Sequence, residues 1–181
     1  MTSLPAISTL PHAPDAELTT VLDLLFEPSP PLHSLTLPVL RSTTFPSYDV
    51  LITAVTAQLT ALASSEERGD VAKLEEILCA HPRLGSKKVA SAQSRQEQAQ
   101  LQQGGSEDDN DKLAALNTEY EEKFPGLRYV VFVNARPRPV IMDNMRARIA
   151  RGDISAERHE AIHAMCAIAL DRASKLTHEV K

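Results

Sequence analysis

Two histidines separated by a single helical turn, with a glutamate between them, make one pattern with chemical potential: His159-Glu160-Ala161-Ile162-His163. On a helix, H-E-x-x-H puts two imidazoles on one side, where they hold zinc while the glutamate serves as base in a hydrolase. The longer zinc motif needs a glycine and a third histidine downstream, and AMCAIALDR follows instead. Projected at about 100° per residue, Ala161, Ile162, Met165, Cys166, Ile168, Ala169 and Leu170 form an apolar arc. The two histidines lie on its edge, a boundary position that requires no metal. Arg172 lies inside the arc. A guanidinium does not deprotonate and is costly to bury unpaired. Two readings stay open: a snorkelling or salt-bridged arginine near the helix end, or an anion-binding group reaching into an internal cavity. On the second, Arg172→Met should remove the charge with little loss of stability.

His81 is another candidate. It ends a helical stretch and precedes Pro82, which favours extended backbone. A helix C-terminus favours the imidazolium, so His81 is expected to be a proton donor near neutral pH. After the turn HPRLGSKK comes SAQSRQEQAQ, in which Ser94, Glu97 and Gln98 sit at i, i+3 and i+4. They share one helical face. A hydroxyl, a carboxylate and an amide together suit a polar heterocycle; the plainer alternative is a solvated face.

The elements that must position these groups are nearly all helical. Stretches rich in Ala, Leu, Gln and Glu favour helix, and helices are expected near 15–26, 31–41, 47–64, 70–80, 91–102, 109–123, 138–150 and 155–176. Leu51, Val55, Leu59 and Leu62 mark the face of the third. Val71, Leu74 and Leu78 mark the fourth, with Asp70 as its expected N-cap. Only 127–134, LRYVVFVN, reads as extended. With no second strand to pair it, its backbone must bond elsewhere, which makes it a candidate ligand-binding wall. The expected fold is all-α, one compact bundle of about eight helices. Residues 1–14 are expected to be loosely ordered, and 102–111 (QQGGSEDDND) to form a flexible acidic loop.

Composition narrows the function classes. The 181 residues suit one domain with a real core, and 43% apolar content is globular. With 19 Lys and Arg against 24 Asp and Glu, a nucleic-acid partner is not expected. No apolar run approaches the roughly 18 residues of a membrane span, and MTSLPAISTLPHAPD lacks the pattern of a secretory leader. Cys79 and Cys166, both in apolar helical contexts, read as reduced thiols of an intracellular protein. The absence of Trp, with three Tyr and four Phe, argues against aromatic platforms for bases or sugars.

Taken together, His81-Pro82, Ser94-x-x-Glu97-Gln98 and Asn117-x-x-Tyr120-x-x-x-Phe124 resemble the signature of OHCU decarboxylase. This is the 2-oxo-4-hydroxy-4-carboxy-5-ureidoimidazoline decarboxylase family of urate breakdown. Phe26-Glu27-x-Ser29-Pro30 and the C-terminal helix from Glu157 to Arg172 extend the resemblance over most of the chain. Arg83 stands where many members have Asp. The resemblance implies an all-helical, cofactor-free, metal-free homodimer that converts the small molecule OHCU to (S)-allantoin and CO2. It puts the catalytic pair on His81 and Glu97, and substrate contacts on Pro82, Ser94, Gln98, Tyr129, Val131, Val133 and Arg172. The chemistry suits these residue types. The electron pair left by the departing carboxylate enters the neighbouring C=N, so no metal or pyridoxal sink is required. What remains is to bind an anion and deliver a proton to one face of C5. The rivals are a zinc hydrolase using His159, Glu160 and His163, and a non-catalytic helical interaction module. The implied location is cytoplasmic or peroxisomal; Ser174-Lys175-Leu176 matches a peroxisomal tripeptide but lies inside the chain.

Overall fold

In a computed structural model, described for residues 3–86, 91–102 and 107–178, the chain folds as an all-α bundle. A 3-10 helix (Ile7–His12) precedes α1 (Asp15–Leu25), α2 (Pro30–Ser42), α3 (Tyr48–Ala63) and α4 (Arg68–Cys79). Then follow α5 (Ala92–Gln102), α6 (Glu107–Lys123), α7 (Arg138–Arg151) and α8 (Ile154–His178). No strand occurs among the described residues. The boundaries have local causes. Prolines open the first turns of α2 and α7, where a missing N–H costs nothing. Ser47 caps α3 by accepting from the Val50 N–H at 3.3 Å. Gly152, at φ 65°, closes α7. One residue on, Asp153 Oδ1 accepts the N–H groups of Ser155 and Ala156 and starts α8. Asp70 is not the cap of α4. It lies in the first turn behind Glu67 and accepts from the Ser65 hydroxyl at 2.8 Å.

The core forms where α8 packs along α3, with α1 and α4 beside it. Leu51, Ile52, Val55 and Leu59 of α3 are buried, as are Ala161, Ile162, Met165 and Cys166 of α8. Two expectations are corrected. Residues 1–14 are not loose over their described part, because Leu4, Leu10 and Ala13 are buried and the Tyr48 hydroxyl donates to the Pro5 carbonyl at 2.9 Å. Of the expected loop 102–111, residues 103–106 lie outside the described residues, and 107–111 already belong to α6.

The segment 127–134 finds its partners in arginine side chains. Arg148 Nη1 donates to the Val130 carbonyl at 3.1 Å. Arg136 donates to the carbonyls of Phe132 and Val133. The segment ends in a tight turn closed by the Arg136 N–H on the Val133 carbonyl, with Asn134 and Ala135 both left-handed at φ 44° and 56°. Asn tolerates that region, whereas for Ala it is strained. Ala135→Gly should therefore stabilise the protein, by up to about 1 kcal/mol, read as a raised urea midpoint with an unchanged slope.

Candidate active site

A cavity of about 560 Å³ opens where the turn after α4, one face of α5, the 129–135 wall and the last third of α8 meet. His81, Pro82, Ser94, Glu97, Gln98, Tyr129, Val131, Val133 and Arg172 all line it. Residues nominated from four separate stretches of sequence thus share one space.

Arg172, only 2% exposed, is the hub. Its Nε and Nη2 donate to the two oxygens of Glu97 at 2.8 and 2.9 Å. Nη2 also reaches Glu27 Oε1 and Ser94 Oγ, each at 2.9 Å, and Nη1 reaches the Phe26 carbonyl at 3.2 Å. The Ser94 hydroxyl in turn donates to Glu27, which also accepts from Ser91 Oγ at 3.1 Å. Both readings of Arg172 hold in part: it faces a cavity, and it is ion-paired. The expectation that Arg172→Met would spare stability is overturned, because Glu27 is buried and would lose its cation.

His81 also departs from expectation. It lies beyond the helix end, 5% exposed, with Nδ1 4.0 Å from Glu27 Oε1. Its buried Nε2 has no hydrogen-bond partner among the described residues. Burial, and after it the positive charge of Arg172, pushes the imidazole down to about 3. Desolvation outweighs the macrodipole, so at neutral pH His81 is an uncharged ring, able to accept a proton before it donates one. The carboxylate beside it is Glu27; Glu97 is turned to the guanidinium.

The surrounding contacts fix the turn that carries His81. Gln98 Oε1 accepts from the Gly85 N–H at 2.9 Å and its Nε2 donates to the Arg83 carbonyl at 3.2 Å. Asn117 Nδ2 donates to the Leu84 carbonyl at 3.0 Å, and Arg128 Nη1 to those of Cys79 and His81. Gly85 is left-handed at φ 80°, and a Cβ there would meet Leu113 at 2.8 Å. The Arg83 side chain forms a two-pronged pair with Glu121. The Tyr129 hydroxyl donates to Asn144 Oδ1 at 2.6 Å on α7, so its bond is already made away from any ligand.

The H-E-x-x-H segment is engaged otherwise. His159 Nδ1 lies 2.8 Å from the Ser155 carbonyl, Glu160 pairs with Arg151 and Arg148, and His163 is exposed. No group of three metal-ligating side chains occurs among the described residues. Glu27 carries no role by spacing alone, and the Phe26-Glu27-x-Ser29-Pro30 motif is the one signal that marks it. The arginines behind the wall gave no signal in spacing.

A comparison with curated proteins found no match. The family model of OHCU decarboxylase matches residues 11–174 of the 181. The fold, the shared cavity and this match agree: the chain belongs to the OHCU decarboxylase family, decarboxylases of urate catabolism.

Proposed function

We propose that this protein decarboxylates OHCU to (S)-allantoin in the cavity around His81 and Arg172, without metal or cofactor. The observation that carries the proposal is the buried, uncharged His81 imidazole, its Nε2 without a hydrogen-bond partner among the described residues, on a cavity shared with a charged arginine. In the first step the bond from C4 to the carboxylate breaks and CO2 leaves. The electron pair forms a C4=C5 enol while the neighbouring C=N pair moves onto nitrogen, which takes a proton relayed from solvent by Glu97. His81 Nε2 then accepts the C4 hydroxyl proton and returns it to one face of C5, leaving a carbonyl at C4. Glu27, 4.0 Å from Nδ1, stabilises the imidazolium formed in between. Pro82 and Ser94 bound the ring, with Gln98 holding the turn.

In a planar trans peptide the N–H points away from the carbonyl it is joined to, and up to the turn at 133 the extended segment carries successive carbonyls on alternate sides. With the carbonyls of Val130 and Phe132 drawn to arginines that do not line the cavity, we place the N–H and carbonyl of Val131 and the N–H of Val133 on the cavity side. That sequence of donor, acceptor and donor complements a ureido arm. We further propose that the enzyme acts as an intracellular homodimer. The test is freshly generated OHCU: the protein should speed its loss in proportion to enzyme, with one CO2 released per molecule. Loss at the spontaneous rate would refute the proposal.

A further inference from the structure

Behind the cavity wall lies a charged cluster that the proposed chemistry does not use. Arg148 of α7 is 4% exposed, and Glu157, in the first turn of α8, is fully buried. Arg148 Nε lies 3.1 and 2.9 Å from the two Glu157 oxygens, and Nη2 2.8 Å from Oε2. Glu157 also accepts from the buried Tyr120 hydroxyl and from Arg151. None of Arg148, Glu157 and Tyr120 lines the cavity. A buried pair of this kind is seldom the cheapest way to fill a core; well-packed apolar side chains often serve stability as well or better. What it does supply is a fixed donor. Arg148 Nη1 reaches the Val130 carbonyl at 3.1 Å, and its guanidinium carbon sits over the Tyr129 ring, 4.8 Å from the centroid. One planar group thus holds two consecutive residues of the wall, one by its ring and the other by its peptide.

We propose that Arg148, clamped by Glu157, is a positioning residue for ureide recognition. Holding the Val130 carbonyl on the far side turns the Val131 peptide toward the cavity, so the orientation of the wall depends on a charge that never touches the ligand. This rests on the proposed reaction only for the identity of the ligand. A lysine could keep the charge, but its single nitrogen does not reproduce the fork in which Nε and Nη2 take Glu157 while Nη1 takes Val130.

The test compares wild type, Arg148→Lys and Glu157→Gln by calorimetric binding of (S)-allantoin and by steady-state kinetics with OHCU. For Arg148→Lys, Kd and KM should both rise about tenfold, the scale of one lost hydrogen-bonding contact, with kcat within about threefold because the wall lies away from the proton transfers. Glu157→Gln keeps an acceptor for Tyr120 and Arg148, and should shift Kd and KM the same way by a smaller factor. Should Arg148→Lys not fold, Glu157→Gln decides alone. A purely structural cluster would lower kcat per mole of protein, through a smaller folded fraction, and leave Kd and KM unchanged; that pattern, or no binding of (S)-allantoin to wild type, overturns the inference. A wild type that binds (S)-allantoin yet does not accelerate OHCU loss removes the proposed reaction and leaves the positioning role to be judged on Kd.

Discussion

Arg172→Met is expected to lower the unfolding free energy by about 3–5 kcal/mol, the usual cost of removing one partner from a buried ion pair. In a protein of this size that is a fall on the order of 10 °C in Tm. The substitution takes the cation away from Glu27 and Glu97, and leaves Ser94 and the Phe26 carbonyl without one of their donors. Glu27 suffers most, being buried, whereas Glu97 is partly open to water. Activity should fall as well, by at least about a hundredfold in kcat/KM, the equivalent of a charged hydrogen-bond donor worth roughly 3 kcal/mol. The two effects can be separated. Adding Glu27→Gln to Arg172→Met removes the stranded carboxylate and should restore much of the stability without restoring catalysis. Arg172→Lys should be intermediate in both, since a point charge cannot reproduce the planar fork. A wild-type urea midpoint for Arg172→Met would contradict the ion-paired geometry.

His81→Asn should lower kcat by about 10²–10⁴, the usual contribution of a positioned acid–base group. Its pH behaviour is the sharper signature. The folded protein holds the imidazole at about 3, against about 6.5 in the unfolded chain. Between those values the unfolded state binds a proton that the folded state refuses, so unfolding free energy rises with pH across this window. That stability is fully present above pH 6.5 and is lost as the pH falls toward 3. In His81→Asn the same decline should be visibly shallower, as read by urea titrations at stepped pH. An equal acid decline in variant and wild type would mean that His81 is not the group held neutral.

The helices were legible because their evidence is local. Apolar spacing, prolines and a closing glycine act within a few residues, and α3, α7 and α8 fall within two residues of the boundaries expected from them. The helix end at His81 was local too, but its charge state was not. Position relative to the helix predicts a raised pKa, while burial among distant elements predicts a lowered one, and burial is the larger effect here. Arg172 shows the same divide. Its place on an apolar arc announced a buried charge, but its partners lie 75 and 145 residues away. Nothing in helical projection could pair it with Glu27. The 127–134 segment was recognisable by composition as extended and unpaired. The arginines that satisfy its carbonyls stand in and just before α7, whose side chains carry no mark of that duty.

The most direct measurement is the optical activity of allantoin formed when urate is oxidised in the presence of the protein. Single-face protonation at C5 by His81 predicts that wild type yields (S)-allantoin in excess, faster than the spontaneous decay. With His81→Asn the excess of (S)-allantoin should fall toward a racemate as the slowed enzyme loses to spontaneous decay. Racemic allantoin from wild type at that same rate would contradict the account.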